Sequence, residues 1–277
     1  MAWAILRPTR RSFGAALASG YPTEPAELGL PGHEMVFELP GGARTPGFVV
    51  EGKESAGPAV VILHGHASGK YSALARAGLL APYASRVVCF DWRGNGDCAG
   101  PGGVMCDFGA RAGEDIGAVL AQAQVEGAVV FLGCSMGTAC ALRAASFGPL
   151  AGRVAGVVLD GGFRVWSVGI RAQLRDRRKP RFFLPIVKAV VEFFIPHLRQ
   201  EDAVLRVAQL VCPVLVLHGS LDHLCPLTDA CDIAAAAKDG NIVVFEGAGH
   251  LGLHRFDRAK YDAALRDFFH SLSIKQP

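Results

Sequence analysis

A mostly parallel, doubly wound α/β sheet is the fold class this sequence predicts, and three observations predict it. Short, almost wholly apolar runs such as Ala59-Val60-Val61-Ile62-Leu63 recur along the chain, as expected of strands buried on both faces of a sheet. Stretches of helical length separate them, the alternation that sets successive strands parallel. From the third strand onward each run ends in a loop rich in Gly, His or Asp, and ligands of such sheets gather beyond the carboxyl ends of the strands.

Composition supports this class and excludes others. In 277 residues, 51% are hydrophobic, 19% are charged and 34 are glycine, which suits one large domain with a buried sheet and many tight turns rather than a disordered or charged helical chain. The net charge of +3 is too mild to imply nucleic acid, and no basic run interleaved with aromatics suggests it. The eight cysteines form no C-x-x-C pair and no Cys/His metal spacing, so reduced thiols and no structural metal are expected. Cys98 and Cys106 share one Gly-rich loop and are the pair an oxidising compartment would join. No apolar run reaches the roughly 18 to 20 residues of a membrane span. Thr9-Arg10-Arg11-Ser12-Phe13 resembles a twin-arginine export signal and Ala16-Leu17-Ala18 a cleavage site, but the apolar core of a signal is missing between them. The cytoplasm is the expected location, with twin-arginine export as the alternative.

Taken in order, residues 1–32 read as an irregular arm. Residues 34–39 and 46–51 flank Pro40-Gly41-Gly42 as an antiparallel hairpin. Strands follow at 59–63, 86–90, 128–132, 153–159, 214–217 and 242–245, making eight in all. Helices are expected over 72–82 and 112–124, from residue 135, and over 257–272. Residues 33–162 and 207–277 form the core on this reading, and 163–206, too long for one crossover, form a helical insertion.

The strand at 128–132 runs directly into Gly133-Cys134-Ser135-Met136-Gly137 and then a helix. That turn reads as a nucleophile elbow. A serine hydroxyl is a poor nucleophile, and a sharp strand-to-helix turn exposes and aims it while flanking glycines let the two elements approach. The helix start also points amide hydrogens and its positive dipole end at any oxyanion formed there.

Together with His64-Gly65, Asp91-x-Arg93-Gly94-x-Gly96, His218-Gly219-x-x-Asp222 and Gly247-x-Gly249-His250, this elbow resembles the α/β-hydrolase superfamily, over residues from about 33 to the C-terminus. The motifs occur in that family's order of nucleophile, acid and histidine. The resemblance implies an eight-stranded sheet with a helical cap in the insertion, Ser135 as nucleophile, His250 as general base and then acid, and Asp222 as the carboxylate that orients the imidazole. It also implies an oxyanion hole from the backbone N–H groups of Met136 and His66. Asp160 also ends a strand and is the alternative acid, since some members carry the acid one strand earlier. His254, beyond the Gly-x-Gly-His loop, is the rival base. Asp91 and Arg93 are read as structural, and their loop lacks the order of a phosphate-binding motif. His64 and His66 look like a metal pair but have no acidic neighbour in their loop, so neither metal nor cofactor is expected. Cys134 is read as a packing residue.

The insertion opens with Arg171, Arg175, Arg177, Arg178, Lys179 and Arg181 against a lone Asp176. It continues through 182–196 as an apolar helix whose polar stripe is only Lys188 and Glu192. A face so apolar is expected to line an acyl pocket as a lid, or to meet a partner or bilayer. The expected function is hydrolysis of carboxylic esters with an apolar acyl part through an acyl-enzyme, with thioesters and amides open to the same machinery. An acyltransferase, or a non-catalytic binding protein of this fold, are the alternatives. The expected partner is a small-molecule ester, with peripheral lipid contact through the cap.

Overall fold

A computed structural model describes residues 1–176, 178–180 and 182–274. Eight strands, β1 (Gly32–Leu39), β2 (Ala43–Glu51), β3 (Ala59–Leu63), β4 (Arg86–Phe90), β5 (Val129–Cys134), β6 (Val154–Asp160), β7 (Val214–Gly219) and β8 (Gly240–Phe245), form one sheet. Their order across it is β1-β2-β4-β3-β5-β6-β7-β8. The β1–β2 and β2–β4 pairs are antiparallel and the rest are parallel. This is the doubly wound, mostly parallel sheet that the apolar runs predict.

The reason is burial. Every residue of β3 and β5 is buried, because helices cover both faces of the central strands, and a strand with two covered faces has no position for a polar alternation. Edge strands differ: β8 is exposed at Gly240 and Asn241 and reaches full burial only at Phe245. Two apolar clusters, one per face, flank the sheet. Phe37, Phe131 and Ile116 belong to one, and Ile62, Leu132 and Tyr261 to the other.

Two segments depart from the sequence expectation. The helix expected over 72–82 is broken into Lys70–Leu74, Ala77–Leu80 and a 3-10 turn Ala81–Tyr83. Between the first two lies Arg76, a buried cation whose Nη2 stands 3.7 Å from Asp160 Oδ2, and a charge taken from water needs such a partner. The arm, expected to be irregular, holds the helices Ala2–Leu6 and Phe13–Ala18, the second capped where Ser12 Oγ accepts from the Ala15 N–H.

The β6–β7 connection contains the helices Ser167–Asp176, Phe183–Phe194 and Ala203–Val207. Of its basic run, Arg177 and Arg181 lie outside the described residues, as does the Asp176 side chain. Phe183–Phe194 packs against both Ala2–Leu6 and Ser167–Asp176, burying Val187 and Val191. Its other face stays in solvent, with Phe182 63% and Phe193 73% exposed beside Ile186, Val190 and Phe194. No helix among the described residues is long and apolar enough to cross a membrane.

Candidate active site

The site begins with the turn after β5. Ser135 sits at φ 51° and ψ −116°, a conformation that costs a residue with a Cβ on the order of 1 to 3 kcal/mol. Surrounding contacts hold it there. The Ser135 N–H donates to the Asp160 carbonyl at 2.9 Å, and the Ser135 carbonyl accepts from both the amide and the hydroxyl of Thr138 at 2.9 and 2.6 Å. A Cβ on Gly133 would collide with the Gly137 carbonyl, and one on Gly137 with the Leu63 carbonyl. Only glycine lets the helix Met136–Ala145 leave the strand at this angle.

The other two side chains come from the loops after β7 and β8. These loops are laced together: the Leu221 N–H donates to the Ala248 carbonyl at 2.9 Å, and the Gly247 N–H to Ser220 Oγ at 2.9 Å. His250 is thereby carried back over β7 from the edge strand. Its Nδ1–H donates to Asp222 Oδ2 at 2.7 Å, and the Ser135 hydroxyl donates to its Nε2 at 3.0 Å. Residues 115 positions apart thus meet at hydrogen-bond distance.

Asp222 is built to remain a carboxylate. Burial pushes its pKa up, but donation from His250 and from the N–H groups of Cys225 (2.8 Å) and Leu224 (2.9 Å) outweighs this and holds it below the ordinary aspartate range. One oxygen takes the two amides and the other takes the imidazole, which fixes the ring's tautomer. His218 steadies the same loop through its Nε2–H, donated to the Cys225 carbonyl at 2.9 Å.

Asp160, the alternative acid, faces elsewhere. Its Oδ2 accepts from the Tyr261 hydroxyl at 3.1 Å and faces Arg76, and its pKa is raised by burial. Its side chain belongs to a buried network beneath the elbow. His254, the rival base, packs its ring edge-on against Tyr261 at 5.7 Å, and burial lowers its pKa to about 4. Neither makes the contacts that Asp222 and His250 make with each other.

The loop after β3 completes the ring around Ser135. His64 is buried, donates from Nδ1–H to the Gly65 carbonyl at 2.7 Å and accepts the Trp92 N–H at Nε2 at 3.0 Å. Burial drives its pKa down to about 4 and so keeps it neutral. Gly65 abuts the elbow so closely that a Cβ there would lie 3.3 Å from Ser135 Cβ. His66 and Met136, the two residues whose amides the family resemblance implies as oxyanion donors, both line the cavity that opens over Ser135 and His250.

Asp91 and Arg93 brace that floor. Asp91 accepts the Lys70 N–H at 2.6 Å and the Asp97 N–H at 2.9 Å, and Arg93 makes a two-pronged pair with Asp115 at 2.7 and 2.6 Å. Both read as structural here. Cys134 is buried, its thiol pushed up to about 12 by desolvation. All eight cysteines, Cys98 and Cys106 included, are free thiols. Asp222, Cys225 and His250 bring three potential metal donors together. The donor set fits an ion poorly, since the Asp222 and His250 atoms are spent on each other at 2.7 Å and burial raises the pKa of the Cys225 thiol sharply.

The cavity has a volume of about 250 Å³ and mostly apolar walls: Phe108, Phe163, Trp166, Ile170, Leu251 and Ile5 surround the serine. The apolar run 182–196, expected to line such a pocket, does not. Its buried residues are used on the neighbouring helices, and the wall comes instead from Phe163, Trp166, Gly169 and Ile170 just after β6. Sequence reasoning missed these and Ile5. Trp166 carried a weak signal, a large aromatic a few residues beyond a strand end, whereas Ile5 carried none.

The model of the alpha/beta hydrolase family matches residues 60–261, and the chain belongs to that family. An uncharacterized protein of Mycobacterium tuberculosis is 28% identical over 265 residues, spanning 92% of this chain and 86% of its own. Among solved structures, an esterase of Pyrococcus furiosus superposes with a TM-score of 0.71 at 16% identity, covering 91% of this chain and 95% of its own. A membrane phospholipase A, described as a bacterial virulence factor, does so with a TM-score of 0.68 at 20% identity, covering 94% and 92%.

Proposed function

We propose that the protein is a serine hydrolase that cleaves carboxylic esters with an apolar acyl group, through an acyl-enzyme and without a metal or cofactor. The observation that carries this reading is the unbroken relay from Ser135 Oγ to His250 Nε2 (3.0 Å) and from His250 Nδ1 to Asp222 (2.7 Å) at the mouth of an apolar cavity.

In the first half-reaction the Ser135 oxygen bonds to the ester carbonyl carbon while its proton passes to His250 Nε2. Asp222, held ionised, stabilises the imidazolium without taking its proton. The carbonyl electron pair moves onto oxygen, where the N–H groups of Met136 and His66 receive it. A single such donor contributes roughly 3 kcal/mol in comparable sites. The intermediate collapses, the alcohol leaves with the proton from His250, and the acyl group remains on Ser135. Water then repeats the sequence with His250 again as base, releasing the acid.

Phe108, Phe163, Trp166 and Ile170 are the groups that would receive the acyl chain, and the β6–β7 connection acts as a cap over the serine. On this reading the exposed face of Phe183–Phe194, with Trp3 exposed and stacked under Arg7 at 4.6 Å, is a lipid-facing lip. Exposed Arg10, Arg11 and Lys179 suit an anionic surface.

The test is covalent labelling by a fluorophosphonate followed by turnover of p-nitrophenyl esters from acetate to palmitate. The wild type is expected to label and to favour chains beyond acetate, and Ser135→Ala to lose both labelling and turnover. A folded wild type that never labels would sink the proposal, and a strict acetate preference would remove the apolar pocket from it.

A further inference from the structure

The helix Ala2–Leu6 precedes every motif, yet it is built into the wall beside Ser135. Ile5 is 4% exposed and Leu6 is 0% exposed. The Leu6 carbonyl accepts the Cys106 N–H at 2.8 Å, which seats the helix on the loop after β4, and Ile5 lines the cavity that holds Ser135 and His250.

Two further bonds tie the arm to the loop after β3. The His66 Nε2–H donates to the Ile5 carbonyl at 2.8 Å, and Arg11 Nε donates to the Ala67 carbonyl at 3.3 Å. The His66 ring stacks on Phe108 with centroids 5.5 Å apart, and Phe108 meets Trp166 edge-on at 6.1 Å. One imidazole therefore joins the N-terminal helix, the cavity wall and the loop whose Gly65 abuts Ser135. Burial keeps this ring's pKa below the ordinary histidine value, so it stays neutral with its proton on the nitrogen the carbonyl needs.

We infer that the N-terminal helix is a working part of the site: Ile5 sets the size of the acyl pocket, and its carbonyl, through the His66 side chain, positions the loop that supplies the second oxyanion donor. This rests on the serine-hydrolase reading above. Ile5 is then a specificity residue and the His66 side chain a positioning group. A chain cut after Ala18 would lose both.

The test compares kcat/KM for p-nitrophenyl octanoate and butyrate in the wild type, Ile5→Trp and Ile5→Ala, with thermal unfolding as the check on folding. Filling the wall with Trp should lower the octanoate-to-butyrate ratio by about tenfold, and Ala should raise it. His66→Leu should lower kcat about tenfold with a smaller change in KM, and His66→Gln, which keeps a donor for the Ile5 carbonyl, should restore most of the loss. An unchanged ratio in folded Ile5 variants, or a His66→Leu enzyme with wild-type kcat, would overturn the inference while leaving the hydrolase intact. A wild type that fails to label with fluorophosphonate would take the hydrolase reading down first, and this one with it.

Discussion

The loops beyond β5, β7 and β8 and the helix Phe183–Phe194 of the β6–β7 connection are held in opposite ways. In the first group nearly every polar atom has a fixed partner: two amides and an imidazole on Asp222, one carboxylate and one hydroxyl on His250, and an elbow closed by Thr138 and Asp160. In the second, a helix places Val187 and Val191 on its neighbours and leaves Phe182, Ile186 and Phe193 in water. A relay in which each of three side chains stands within about 3 Å of the next needs the first kind of construction. The Phe183–Phe194 helix is of the second kind, seated on its neighbours through the apolar side chains of Val187 and Val191.

The largest expected effect tests how far the directional group depends on a single carboxylate. Asp222→Asn should cut kcat by about 10⁴-fold, because an amide in that position turns the imidazole to the wrong tautomer. Asp160→Asn, in the buried network of Tyr261 and Arg76, should retain most of the turnover and lower thermal stability instead. Steady-state kinetics and melting of both variants decide it, and the reverse ranking would move the acid to Asp160.

A smaller effect concerns the floor of the site. His64 has its folded pKa lowered to about 4 against an ordinary value near 6.5, so the unfolded chain binds the extra proton first. Stability should therefore fall as pH drops from about 6.5 toward 4, and this contribution should be fully present above that range. Between pH 7 and pH 5 the loss from this group is about 2 kcal/mol. His64→Gln, which keeps a donor and an acceptor, should flatten that part of the profile in urea unfolding. Parallel profiles for the two proteins would mean that His64 is protonated as readily when folded as when unfolded.

The smallest effect on the fold belongs to the loosely held side. Phe182→Ser with Phe193→Ser should change unfolding free energy by no more than about 0.5 kcal/mol per site, since both side chains already lie in water. The same pair should weaken sedimentation of the protein with anionic phosphatidylglycerol vesicles several-fold, and with neutral vesicles little. Equal vesicle binding by variant and parent would remove this face from any lipid-facing role.

Much of the directional group was readable from the residues because its signals are local. A buried parallel strand must be apolar throughout, a nucleophile elbow must have glycine where Gly133 and Gly137 stand, and strand-end loops must carry the polar residues. The break at Arg76 was not readable, since a cation within a helical stretch gives no sign that it will turn inward to a carboxylate 84 positions away. Nor was the wall of the cavity: the run 182–196 is more apolar than 163–170, yet the shorter stretch lines the pocket because it leaves the sheet beside Ser135.

The sequence by itself determined where the strands lie along the chain, the turn on which Ser135 stands and the candidates for its two partners, because periodicity and glycine placement act over a few residues. Only the tertiary structure decided that Asp222 rather than Asp160 meets His250, and that Ile5, ahead of every motif, lines the cavity over Ser135. Those outcomes depend on which surfaces remain uncovered once the sheet has formed, and no local stretch of residues encodes them.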